Sequence, residues 1–236
     1  MSYLDGFVLA VPEANKEKYR EQASAAMPMF KEFGATRFVE NWPDDVPHGK
    51  QTDFYRATKI QDGEVPLFSW IEYPDRATRM EAGRKMMENP DMMNMSDMPF
   101  DAHRMIYGGF EILHDTGSKT KPGYIEGMVS PVPVANKEAY RAAAQEQAPL
   151  LLEHGALRVV DSWGDDVPPG KTTDYQRAVA TENGETIGFS FIEWPSKDVR
   201  NKAWEALMQD PRMAPRPEVY DARRSIYGGF LPLIDD

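Results

Sequence analysis

The chain has no cysteine. That excludes disulfides, a thiolate nucleophile and thiolate metal ligation together. It has no basic excess either: 27 Lys and Arg stand against 38 Asp and Glu, a formal net charge of −11. Such a chain cannot neutralise phosphates, which argues against nucleic acid, and anionic lipid repels it. No apolar run approaches the roughly 18 residues of a membrane-spanning helix. The opening MSYLDGFVLAVP has neither a charged n-region nor a long apolar stretch, so the expectation is a cytoplasmic protein. With 236 residues of 41% apolar composition, there is enough chain for one large or two modest domains.

The stretch WGDDVPPGKTTD, Trp163–Asp174, ends like a phosphate-binding loop but fails as one. Five residues, not four, separate Gly164 from Gly170, and two of them are Asp165 and Asp166. Pro168 and Pro169 remove backbone N–H donors, and a strand-like TTDYQRAVA follows where a helix should begin. Nor does the Asp pair have the spacing of a calcium loop. What marks the stretch is its recurrence as WPDDVPHGKQTD, Trp42–Asp53, 121 positions earlier.

The repeat covers nearly the whole chain. YLDGFVLAVPEANKEKYR (Tyr3–Arg20) matches YIEGMVSPVPVANKEAYR (Tyr124–Arg141). FSWIEYP (Phe68–Pro74) matches FSFIEWP (Phe189–Pro195), and MIYGGF (Met105–Phe110) matches SIYGGF (Ser225–Phe230). A period this long reads as a duplicated, fused domain rather than a solenoid. The expected division is one repeat over 1–115, a linker over 116–123 and a second repeat over 124–236.

Each repeat reads as strand, helix, strands, helix, strand. Alternation in Tyr3–Val11 puts Tyr3, Asp5, Phe7 and Leu9 on one face and Leu4, Gly6, Val8 and Ala10 on the other. Asn15 is the expected N-cap of a helix whose face carries Tyr19, Ala23, Met27 and Phe30 and which Gly34 ends, with Pro28 and Pro149 inside the paired helices. Thr36–Trp42 is a strand, Phe54–Ile60 and Pro66–Tyr73 form a hairpin, Asp75 and Ser196 cap second helices that stop near Pro90 and Pro211, and Arg104–Leu113 closes the unit. The expectation is an α+β fold of two ferredoxin-like repeats with antiparallel sheets, packed face to face as an intrachain pseudo-dimer.

YLDGFVLAVP, FKEFGATRFVENW, DDVPHGKQTDF, FSWIEYP and RMIYGGFE resemble the YbaA-like family of bacterial proteins, a domain of unknown function in the dimeric α+β barrel superfamily. The resemblance runs through each half and implies a tandem fusion of a domain that elsewhere pairs as a dimer. It supplies no reaction. Relatives on that barrel include cofactor-independent monooxygenases, isomerases and haem-degrading enzymes, but a shared fold does not carry activity.

Candidate chemistry therefore comes from polar residues present in both halves. Glu72 and Glu193 sit among aromatics on the Phe68–Trp70 and Phe189–Phe191 faces and are the candidate catalytic acids or bases. Asp5 and Glu126 share a strand face with Tyr3 and Tyr124. If these faces line an inter-sheet cavity, desolvation raises the carboxyl pKa values. Arg37, Arg158, Arg56, Arg177, Arg104 and Arg224 are the cations that could serve them or merely pair with them. Tyr107 and Tyr227, beside paired glycines, could donate to a substrate oxygen, and Trp42, Trp163 and Trp70 could wall a ligand pocket. The plain alternative for each is packing or an ion pair that sets strand register.

No histidine is matched between the halves, which speaks against a duplicated metal or haem site. The Met-rich Met86–Met98 loses most of its methionines in the second copy, as expected of adaptable packing over a groove rather than copper ligation. No metal and no cofactor is expected. Three functional readings follow: a cofactor-independent small-molecule enzyme with a carboxylate-lined pocket, a non-catalytic ligand-binding or sensor module, and a structural or interaction protein. The partners expected are a small molecule and the chain's own halves, with a higher oligomer open.

Overall fold

A computed structural model describes residues 2–88, 98–213 and 219–236. Eight strands, β1 (Tyr3–Pro12), β2 (Arg37–Asp45), β3 (Glu64–Tyr73), β4 (Ile106–Gly117), β5 (Tyr124–Pro133), β6 (Arg158–Asp166), β7 (Glu185–Trp194) and β8 (Ile226–Asp235), close into one barrel in the order β1-β3-β2-β8-β5-β7-β6-β4. Every pairing is antiparallel. The long helices α1 (Lys16–Glu32), α3 (Arg76–Glu88), α4 (Lys137–Glu153) and α6 (Lys197–Leu207) cover the outer face. Among the described residues no helix is long and apolar enough to cross a membrane.

The two four-stranded sheets do face each other, as the apolar alternation requires, but they also join at their edges. The seams are β2 with β8 and β4 with β6. Closure satisfies the edge N–H and C=O groups that two stacked sheets would leave open. β4 continues to Gly117, opposite Arg158, into the stretch expected to be linker.

The register sorts the strand faces. Leu4 lies opposite Glu72, Gly6 opposite Trp70 and Val8 opposite Phe68, and these residues point into the barrel. The interior is filled in layers. Phe68 stacks on Phe189 at 4.5 Å between ring centroids, and Trp70 on Phe191 at 4.0 Å. Gly6 and Gly127 admit these rings: a Cβ at either would lie 2.7 Å from Phe189 or Phe68. The expected inter-sheet cavity is therefore occupied by aromatic rings, each worth about 3–5 kcal/mol against truncation to Ala.

Two local expectations are corrected. Phe54–Ile60 is not a strand: its first residues form the one-turn helix α2 (Phe54–Ala57), because Asp53 accepts the Arg56 N–H at 2.7 Å and caps it. The matching helix α5 (Tyr175–Ala178) is capped by Asp174 in the same way. Phe54 and Tyr175 thereby plug one end of the barrel, packed on Phe230 at 5.5 Å and Phe110 at 5.4 Å. Asn15 makes no side-chain cap bond; its amide donates to Pro99 O at 2.8 Å and ties α1 to the approach to β4. The helices α1 and α4 continue through Pro28 and Pro149. Ser196 and Asp75 do accept the N–H groups of Val199 and Thr78. The expected stop near Pro90 and most of the Met-rich stretch lie outside the described residues.

The recurrent Asp-Asp loops reach across the seams. Tyr124 OH donates to Asp44 at 3.0 Å, and Lys197 pairs with it at 2.6 Å. Symmetrically, Tyr3 OH and Arg76 meet Asp165 at 3.0 and 2.5 Å.

Candidate functional site

Glu72 and Glu193 close the end of the barrel opposite α2 and α5. Glu72 lies opposite Arg37 in the β2–β3 register, and Glu193 opposite Arg158 in β6–β7, yet each glutamate takes its short ion pair from the other half's arginine. Arg158 grips Glu72 with two bonds of 2.7 and 3.0 Å and Asp115 with two more of 2.7 and 2.9 Å. Arg37 reaches Glu193 at 2.5 Å and Asp235 at 2.8 and 2.9 Å. Trp70 Nε1 donates to Glu72 at 3.1 Å.

The two carboxyls respond differently. Burial raises the Glu72 pKa, but Arg158, Arg37 and the Trp70 N–H outweigh it and hold the group below its ordinary value. The expected upward shift fails there because the cation is bidentate. For Glu193 burial wins and the pKa lies above the ordinary value, with one oxygen buried and unbonded.

Asp5 and Glu126 lie on the opposite face of the sheet from Glu72 and Glu193, under the helices. The register that pairs Leu4 with Glu72 forces this. Asp5 pairs with Arg79 at 2.6 Å, and Glu126 with Arg200 at 3.2 Å. Arg56 and Arg177 serve neither set; they bind Gly49 O at 2.6 Å and Gly170 O at 2.9 Å and hold the Gly-Lys loops. Arg104 and Arg224 clamp Glu64 and Glu185. Tyr107 and Tyr227 stand outside, 48% and 60% exposed. The neighbouring glycines make room for other side chains of the fold: a Cβ at Gly109 would meet Tyr3 OH at 2.7 Å.

Trp42 and Trp163 do border a polar cluster, one that the sequence reading missed. In the first half Tyr19 OH donates to Glu40 Oε2 at 2.6 Å, and Ser69 Oγ donates to the same oxygen. These groups come from α1, β2 and β3. In the second half Tyr140 OH meets Ser190 Oγ at 2.7 Å, and Ser190 donates to Asp161 Oδ1 at 2.9 Å. Asp is one methylene shorter than Glu, so the serine relays what the tyrosine gives directly in the first half. The rings of Trp163 and Tyr220 lie 6.2 and 6.1 Å from Tyr140.

Among the described residues no Lys or Arg ion pair reaches Glu40 or Asp161. Burial without a cation pushes the Glu40 carboxyl up to about 7, although Ser69 and Tyr19 pull it down. Burial raises Asp161 as well, against Ser190 and His114. His114 lies directly opposite Asp161 across the β4–β6 seam, where the other half places Ile234 opposite Glu40. Its Nε2 is buried and unbonded. The readable signal was the acid shared by RFVENW and RVVDSW, on the strand face opposite Arg37 and Arg158.

The sequence matches the family described as "Protein of unknown function (DUF1428)" twice, over residues 2–102 and 123–222. It is 55% identical over 116 residues to the uncharacterised protein YbaA of Escherichia coli (strain K12), a match spanning 49% of this chain and 99% of YbaA. The Shigella flexneri YbaA matches equally. Among solved structures, a candidate monooxygenase of Lactobacillus acidophilus NCFM aligns over 99% of this chain and 95% of its own, with TM-score 0.59 and 8% identity. An anthrone oxidase-like protein aligns over 100% and 92%, with TM-score 0.55 and 14% identity. At such identities the likeness is one of fold.

Proposed function

This chain belongs to the DUF1428 family, and from that premise we propose that it is a small-molecule enzyme that moves a proton without a cofactor, in the layer between sheet and helices. The carrying observation is a pair of carboxyls, Glu40 buried and Asp161 partly buried, held by hydroxyls instead of cations. Other buried carboxylates, including Asp5, Glu64 and Glu72, have an arginine. A buried acid left without one has its pKa raised, in the direction that a general base needs. The second half is the working one. Asp161 takes a proton from an acidified C–H or O–H of the substrate, Ser190 and Tyr140 steady its negative charge, and His114 stands beside it. That relatives in fold carry oxidase and monooxygenase names fits a substrate that forms a stabilised anion.

In this reading the chain is a tandem pair, residues 1–115 and 124–236 joined by 116–123, that reproduces a dimer within one polypeptide. Glu72, Glu193, Arg37 and Arg158 act as its lock rather than as its base, since their charges are committed to each other across the seams.

Deuterium exchange into a panel of enolisable carbonyl compounds and phenols, followed by NMR in D2O, tests the base. Asp161→Asn is expected to cost about 10²–10⁴-fold in exchange rate, and Glu40→Gln far less. No catalysed exchange, or an Asp161→Asn rate equal to that of the unaltered chain, overturns the proposal.

A further inference from the structure

A second contrast between the halves lies on the outer face of β1 and β5, apart from Glu40 and Asp161. In the second half Glu126 accepts from two indoles. Trp194 Nε1 donates at 2.9 Å, and Trp204 Nε1, on α6, lies 3.0 and 2.8 Å from the two oxygens. In the first half Asp5 stands for Glu126, Tyr73 for Trp194 and Gly83 for Trp204, so the acid remains and both indoles are gone.

Two features of the first half lack an internal explanation. The Tyr73 hydroxyl is buried, on a residue 1% exposed, with no hydrogen-bond partner among the described residues. An orphaned buried hydroxyl costs about 1–3 kcal/mol and calls for a reason. Gly83 lies inside the helix α3, where glycine costs about 1 kcal/mol relative to Ala. Close packing does not demand it, because among the described residues a Cβ there would meet nothing within 4 Å. Asp5 also keeps an acceptor: Arg79 engages one of its oxygens at 2.6 Å, and burial pushes its carboxyl up to about 6 despite that cation.

We propose that this place in the first half binds a small flat aromatic molecule with a ring N–H, of the indole class. The ring lies where the Trp204 side chain lies in the second half, its N–H donates to Asp5, and the Tyr73 hydroxyl meets a polar substituent on the ring. The second half is then a self-occupied copy of the same site, closed by the chain's own indole.

Isothermal titration with indole itself tests this on the full chain. The unaltered protein is expected to bind one indole. Gly83→Trp supplies an internal indole and abolishes binding. Trp204→Gly opens the second copy and raises the stoichiometry to two. Asp5→Asn weakens binding by about tenfold or more, the loss expected of a hydrogen bond to a charged group. No binding at millimolar indole, or binding unchanged by Gly83→Trp, overturns the proposal. Should Gly83→Trp fail to fold, an unchanged stoichiometry in Trp204→Gly overturns it alone. None of these variants touches Asp161, so exchange activity and indole binding fail independently.

Discussion

The two halves of the barrel are nearly alike where they touch each other and unlike where they face their helices. At the seams the same pairs recur: Arg37 with Glu193 and Arg158 with Glu72, Tyr3 with Asp165 and Tyr124 with Asp44. Under the helices, Glu40 becomes Asp161, Phe100 becomes Tyr220, and Gly83 answers Trp204. The difference shows where a fused pair has freedom. A seam residue must satisfy a partner in the other half, so a change there leaves a buried charge alone. Among the described residues Glu40, Phe100 and Gly83 make no ion pair with the other half, so one copy can change there while the other keeps the fold.

Breaking the seam should give the largest effect. Arg158 is fully buried and holds both Glu72 and Asp115. Arg158→Ala strands these carboxylates and should cost about 3–5 kcal/mol in urea unfolding. Arg37 is itself 11% exposed, and Glu193, whose pKa already lies above the ordinary value, can take up a proton when its cation leaves, so Arg37→Ala should cost less. Replacing Arg158 and Glu72 together by Met should recover most of the loss, because removing both members of a buried pair avoids the uncompensated charge. Equal costs for the two arginines would show the seams to be energetically symmetric despite their unequal burial.

Much of this frame was legible in the sequence. The repeat, the strand alternation that turns Phe68, Trp70 and Glu72 inward, and the failure of the Gly-Lys-Thr loop as a phosphate site all follow from residue types at short spacing. Edge closure was not legible, because each seam joins a strand of one repeat to a strand of the other, Glu40 with Ile234 and His114 with Asp161, and only tertiary pairing sets that match. The opposite facing of Asp5 and Glu72 needed the strand register, which is set by tertiary pairing. Phe54–Ile60 read as a strand from its aromatic and β-branched content, while the cap at Asp53 decided for a helix turn. The Tyr19–Glu40–Ser69 cluster draws on three elements spread over fifty positions. Each of those residues alone looks like half-buried packing.

The Glu40 and Asp161 contrast can be sharpened by pH. The Glu40 pKa rises on folding to about 7 from an ordinary 4.5. The folded state therefore binds the proton more tightly than the unfolded one, and stability falls as pH climbs through this window. Full ionisation costs on the order of 3 kcal/mol by the size of that shift. Glu40→Gln should remove this part of the pH dependence and leave the protein relatively more stable at pH 8 than at pH 5. The comparison is the difference in unfolding free energy between those two pH values. Asp161→Asn should act in the same direction, because burial raises that carboxyl too. A Glu40→Gln profile parallel to that of the unaltered chain would place the titration elsewhere.

The smallest effect is expected at the Asp-Asp loops. Asp44 meets Tyr124 and Lys197 at the rim, and the Lys197 contact is the main reason its carboxyl sits below the ordinary value. A depressed acid stabilises the folded state above its ordinary pKa and loses that contribution as pH falls through the folded one. Both ends of the ion pair are partly exposed, so water and salt screen it, and Asp44→Asn should cost only about 0.2–1 kcal/mol. Repeating the unfolding in 1 M salt should shrink the cost further, because the screening length there is about 3 Å. A cost that survives salt would assign the contact to the Tyr124 hydrogen bond rather than to charge. The recurrent loop would then hold the halves by a neutral donor on β5, and Tyr3 with Asp165 should behave the same way at the other seam.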